Sequence, residues 1–181
     1  KSLMRLILRS ETYRRSSTPL PENEGDQKYY SRYYPRRLMA EVLQDAITSV
    51  TRVSPKYNQI TLSDGSTEGT SLYREGTRAL QLSDSAVTSH FLKTFGRNER
   101  EIICECERSN KPSMVQVLHL SNGDTLNNNL RSKQSCVNTM ITQSNDDIID
   151  EAYLLCLSRR PSDSERKRLQ NKIEVAPETE R

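Results

Sequence analysis

PRRLMAEVLQDAITSVTRV, residues 35–53, is the stretch on which the fold reading turns. Met39, Val42, Leu43, Ala46, Val50 and Val53 recur at helical spacing and make one apolar stripe. Pro35 suits a helix start, because the first turn has no use for its missing N–H. The pattern predicts a helix over 36–53. Glu41 and Asp45 lie four apart but off the stripe, so they read as a solvated face. A second stripe, Ile148, Ile149, Ala152, Leu155 and Cys156, predicts a helix from Asn145 or Asp146 to about 158. These two helices are expected to contribute the main core.

The rest of the chain reads as helices joined by breaks. Leu3, Leu6, Ile7 and Ser10 predict a helix over 2–14, ended by the Ser16–Pro21 run with its two prolines. Tyr29, Tyr30, Tyr33 and Tyr34 are expected to cover the core with amphipathic rings rather than to stack on bases. Segments 15–34 and 54–77 read as long loops, the second with a short hairpin at Asp64-Gly65. Residues 78–82 read as extended, and Asp84 as the cap of a helix over 85–95 stopped by Gly96. Pro112 opens a helix with Met114, Val117, Leu118 and Leu120 inward. Short helices over 125–131 and 136–143 follow, and a polar, peripheral one begins near Ser162. The expected fold is mainly α, an irregular helical domain with two long loops and little or no β-sheet.

Composition narrows the function. The 181 residues are 33% hydrophobic and 28% charged, so the core is lean for one domain. The chain begins at Lys1 and enters directly into an apolar helical pattern, which reads as part of something longer. The net charge of +3 comes from scattered pairs such as Arg14-Arg15, Arg36-Arg37 and Arg159-Arg160, which argues against a nucleic-acid face. No apolar run approaches the ~18 residues of a membrane span, so no membrane insertion is expected. Four cysteines are too few for a disulfide scaffold.

Residues 91–130, FLKTFGRNEREIICECERSNKPSMVQVLHLSNGDTLNNNL, hold the candidate chemistry. Cys104-Glu105-Cys106-Glu107-Arg108 is the piece that fold-building does not require. Thiolates suit Zn or Cu(I), and His119 with Glu105 or Glu107 could complete a site. Two cysteines at this spacing are no closed zinc set, however. The favoured reading buries both sulfurs while Arg108 pairs with a carboxylate; a mutual disulfide would be strained, leaving Cys136 or Cys156 as other partners. His119, between Leu118 and Leu120, reads as a satisfied structural histidine. Asn122, Asp124 and Asn127 lack the spacing of a calcium loop, and no Gly-x-Ser-x-Gly is present. Cys104, Glu105, Cys106, Glu107, Arg108 and His119 form the candidate cluster, with no catalytic residue, cofactor or metal ligand assigned within the chain.

The chain resembles the family called domain of unknown function 1553, found in large exported planctomycete-type proteins. The resemblance rests on RLILRSETYRRSS (5–17), YPRRLMAEVLQDAI (34–47), RALQLSDS (78–85), FLKTFGR (91–97), CECERS (104–109), QVLHLSNGDTLN (116–127) and AYLLCLSRRPSDSE (152–165). These run in the family's order over nearly the whole chain. Ser83, Asn98 and Asn128-Asn129 depart from the family's usual residues. The resemblance implies that 1–181 is a single domain forming the C-terminal two thirds of a larger module. It implies upstream domains in the same parent protein, one of them c-type cytochrome-like with a haem, and an extracytoplasmic location in the periplasm or at the cell surface. The expected role is a structural or interaction module of such a protein. The alternative is a redox or hydrolytic enzyme subunit acting on polysaccharide-derived material, centred on the Cys-Glu-Cys-Glu-Arg motif.

Overall fold

A computed structural model describes residues 1–97 and 112–175. The fold is mainly α, as the sequence predicts. Residues 1–38 and 39–181 form separate compact units.

In the first unit, α1 spans Ser2–Arg9 and ends at Ser10, whose hydroxyl turns back to the Ile7 carbonyl at 2.7 Å. The helix is shorter than the predicted 2–14, because that bond satisfies a last-turn carbonyl and closes the helix. Asp26 organises the loop beyond it. Its carboxylate accepts the Ser31 hydroxyl and the amides of Tyr29, Ser31 and Lys28, which together hold its pKa well below the usual range. Tyr29, Tyr30 and Tyr33 are exposed, and Tyr34 packs on Tyr30 and under Arg32. Within this unit, ring packing and a cation–π contact hold Tyr34.

The second unit begins with α2, Ala40–Thr51, capped by Met39 and closed by Arg52 in the left-handed region (φ 63°). Strands β1 (Gln59–Thr61) and β2 (Thr67–Gly69) pair antiparallel, Ile60 opposite Glu68, around the expected turn at Asp64-Gly65. Gly65 has φ 83°, a conformation glycine adopts without steric cost. Residues 79–81 form a 3₁₀ turn rather than an extended piece. Helix α3 spans only His90–Thr94 and is capped by Ser89, whose hydroxyl accepts from Leu92 N–H. Asp84 does not cap it as expected, because its carboxylate is taken by the Ala86 amide at 2.8 Å.

Helix α4, Met114–Asn122, starts at a capping box in which Ser113 and Gln116 exchange side-chain to backbone bonds. Helices α5 (Asp124–Arg131) and α6 (Cys136–Met140) follow. Helix α7, Asn145–Leu157, is capped by Ser144, and α8 spans Asp163–Val175. Arg166 of α8 reaches Asp150 and Asp146 of α7, and Gln170 donates to Asp146 at 2.6 Å. Glu165 turns back to Arg159 at 2.8 Å and to Ser162; the arginine bond chiefly, then the Ser162 bonds, depress its pKa.

The core cluster consists of Ala40, Tyr57, Ala79, Leu82, Val87, Phe91 and Leu92, with Leu43, Ile47, Ile60, Tyr73 and Phe95 packed against it. Helix α2 contributes as expected, but α7 does not. Its one buried side chain, Ile149, lies outside the cluster, and its Asp146 and Asp150 pair with α8. Segments 79–82 and 87–95 fill the place that the second stripe was expected to take.

Candidate functional site

The buried face of α2 is offset from the predicted stripe by one residue, about 100° around the helix. Ala40, Gln44 and Thr51 are inside, joined by Glu41 and Asp45, while Met39 and Ala46 are outside and Val42 is half-buried. The reading of Glu41 and Asp45 as a solvated face is thus overturned. Both are buried because each finds a partner that the local sequence does not show.

Asp45 caps a turn from another part of the chain. Its Oδ1 accepts from Ala79 N–H at 2.6 Å, and its Oδ2 from Leu80 N–H at 3.4 Å and Arg78 Nε at 3.2 Å. The amides at the start of a helical turn have no internal acceptor, so a carboxylate supplied from α2 does the work of an N-cap. Glu41 pairs with Arg97, Oε1 to Nε at 3.8 Å, both side chains being 9% exposed. Arg97 is further fixed by Nη2 donating to the Asp84 carbonyl at 2.9 Å. Tyr57 sits beside this network. Burial first, and the Asp45 charge second, push its pKa far up, so the phenol stays protonated.

His119 lies in an aromatic box. Its ring meets Phe91 and Phe95 edge-on at 5.6 and 5.9 Å, and His90 lies at 5.5 Å. Phe91 and Phe95 stack at 4.4 Å. Nε2 of His119 is 3.0 Å from the Thr125 hydroxyl. Gln116 of the same helix donates to the Thr94 carbonyl at 2.9 Å. These two polar residues therefore fix which side of α4 faces inward. The expectation that Met114, Val117, Leu118 and Leu120 point inward is overturned. They are exposed, Met114 to 72%, Leu118 to 57% and Val117 to 54%. The inward positions are taken instead by Gln116 and His119, through part-buried bonds to Thr94 and Thr125 and the aromatic box.

The α4–α5 junction depends on Gly123. A methyl group there would sit 2.1 Å from the His119 carbonyl oxygen. Gly123→Ala is therefore expected to displace the junction and to lower stability by about 1–3 kcal/mol, as overpacking does. Urea unfolding checks the loss, and an unchanged midpoint would mean that α4 ends differently.

Of the candidate cluster, Cys104, Glu105, Cys106, Glu107 and Arg108 lie outside the described residues, as does the expected Arg108–carboxylate pair. His119 alone is placed, against Phe91, Phe95, His90 and the Thr125 hydroxyl. Cys136 is buried and Cys156 exposed, both as free thiols. Among the described residues no three His, Cys, Asp or Glu side chains come together as a metal site, and no helix is long and apolar enough to cross a membrane. The residues that sequence reasoning missed are Glu41, Asp45, Tyr57 and Arg97. A signal was available in the phase of α2, since Ala40, Gln44, Ile47 and Thr51 also recur at helical spacing.

What these features define is a helical module whose buried charges brace its own elements. Its family is established: residues 1–173 match the PSD1 family, described as "Protein of unknown function (DUF1553)", and the chain belongs to that family. No curated protein and no solved structure matches the chain.

Proposed function

We propose that the chain is a structural or interaction module of a larger exported, cytochrome c-linked protein, docking through α4 against upstream domains of the same parent protein. The observation that carries this reading is the inverted polarity of α4. Gln116 and His119 are bound on the inner side, and Met114, Val115, Val117 and Leu118 face outward without a charge among them. A contiguous apolar face of this kind marks a contact surface. The buried charges support the same reading, since Asp45 and Glu41 are engaged with backbone amides and arginines of the fold. The exported setting and the cytochrome partner rest on the resemblance.

The test is to titrate the purified chain with the separately expressed upstream part of its parent protein. Saturable binding is expected, with a loss of at least tenfold in affinity for Leu118→Arg. Because Leu118 is exposed, the variant should keep its stability to within about 0.5 kcal/mol. Absence of binding, or binding that ignores Leu118→Arg, would overturn the proposal.

A further inference from the structure

Helix α1 turns its whole apolar side outward. Leu3, Met4, Leu6, Ile7 and Leu8 are 49–70% exposed, and every residue from 1 to 38 is exposed or half-buried. With 3.6 residues to a turn, these five side chains span about 200° of the helix circumference. Lys1, Arg5 and Arg9 follow one another four positions apart, so together they line the remaining edge. The helix itself holds no acidic residue.

The unit around α1 is held by polar bonds. Arg15 donates to the Tyr30 carbonyl, and Tyr33 N–H donates to the Ser16 carbonyl at 3.0 Å, so the loop returns towards the segment that leaves α1. Tyr13, Tyr29, Tyr30 and Tyr33 are exposed there. Residues 1–38 carry nine Lys and Arg against four Asp and Glu. Two of those acids are already engaged, Glu11 with Arg14 at 3.7 Å and Asp26 with the amides of its own loop. The unit is therefore cationic as well as apolar on its outside, and charge complementarity asks for a negative partner.

A helix packed on one neighbour buries an apolar stripe of about 100°, half of what α1 presents. A fluid surface into which the helix sinks covers the whole arc. Arginine stems lie along such a surface with their charged heads among its phosphates, and tyrosine rings sit at the same depth. We propose that α1 and the tyrosine-bearing loop behind it bind the surface of an anionic lipid bilayer, with α1 in the plane of the headgroups. Its eight residues reach about 12 Å, against a hydrocarbon core of about 30 Å, so α1 lies on the bilayer and does not cross it. Leu3, Leu6 and Ile7 enter the acyl boundary, while Lys1, Arg5 and Arg9 meet the phosphates.

The experiment is flotation of the full chain with phosphatidylcholine vesicles, with and without phosphatidylglycerol. Binding is expected to be at least tenfold tighter with phosphatidylglycerol, and to fall with added salt. Arg5→Gln combined with Arg9→Gln should weaken it at least tenfold, and Leu6→Glu at least fivefold. Leu118→Ser, on α4, should change nothing. All four positions are exposed, so the variants should melt at the temperature of the parent chain. The chain has no Trp, so Leu3→Trp reports without background, and its emission should shift to the blue on phosphatidylglycerol vesicles. Equal binding to both kinds of vesicle, or a loss with the arginine changes but none with Leu6→Glu, would overturn the proposal. An upstream part of the parent protein that binds the chain and is released by Leu6→Glu would assign this face to a protein contact, and would overturn it too.

Discussion

Asp45→Ala is expected to lower the stability of the chain by about 3 kcal/mol. The magnitude comes from the backbone rather than from the ion pair. Arg78 is 64% exposed, so losing its carboxylate partner costs little. The Ala79 amide is buried, and without Asp45 it keeps no acceptor. A stranded buried donor costs about 1–3 kcal/mol, and bonds to a charged acceptor are at the strong end of the scale. Leu80 loses a longer bond as well. Asp45→Asn retains one oxygen for Ala79 and should recover at least half of the loss. Urea unfolding of the three proteins measures this, and a loss under about 1 kcal/mol for the alanine variant would show that the 3₁₀ turn needs no cap from α2.

Leu92→Ala should cost a similar amount for a different reason. Leu92 is 1% exposed and is among the largest fully buried side chains in the chain. Removing it forfeits transfer free energy and leaves a cavity, together about 2–5 kcal/mol. Leu157→Ala, at the end of α7 and 55% exposed, should change stability by no more than about 0.5 kcal/mol. The contrast matters, because the sequence pattern favours α7 as a main core helix. Equal losses from the two substitutions would show that the end of α7 is packed against the fold rather than exposed.

The helical class and the hairpin were legible because their signals are local. Prolines and Ser-Pro runs break helices where they stand, and Asp64-Gly65 marks a turn by its own chemistry. The helix ends were less so: Asp84 and Ser89 are both competent caps, and only the Ala86 amide decides between them. The facing of α4 was not legible, and that of α2 only as a weaker second phase through Ala40, Gln44, Ile47 and Thr51. Periodicity gives an apolar side, yet burial here follows long-range partners. Asp45 is drawn inward by Ala79, Glu41 by Arg97, and Gln116 by Thr94. A buried carboxylate paired in three dimensions looks, in one dimension, like any surface carboxylate. The buried pairing was no more legible: Arg97 carries no local mark of its partner Glu41.

The bond from Asp45 to Ala79 spans 34 positions of sequence, and the chain between them is tied by that bond into a loop. Closing a loop of that size costs about 3 kcal/mol of chain entropy, growing only with the logarithm of length. Doubling the loop would add only about 0.6 kcal/mol. Insertions at the Leu62–Gly65 turn are therefore cheap for the fold, whereas a single residue added between Arg78 and Ala79 shifts the amides past the carboxylate. Length variation among chains of this architecture should accumulate on the hairpin side of Arg78 and stop abruptly at it.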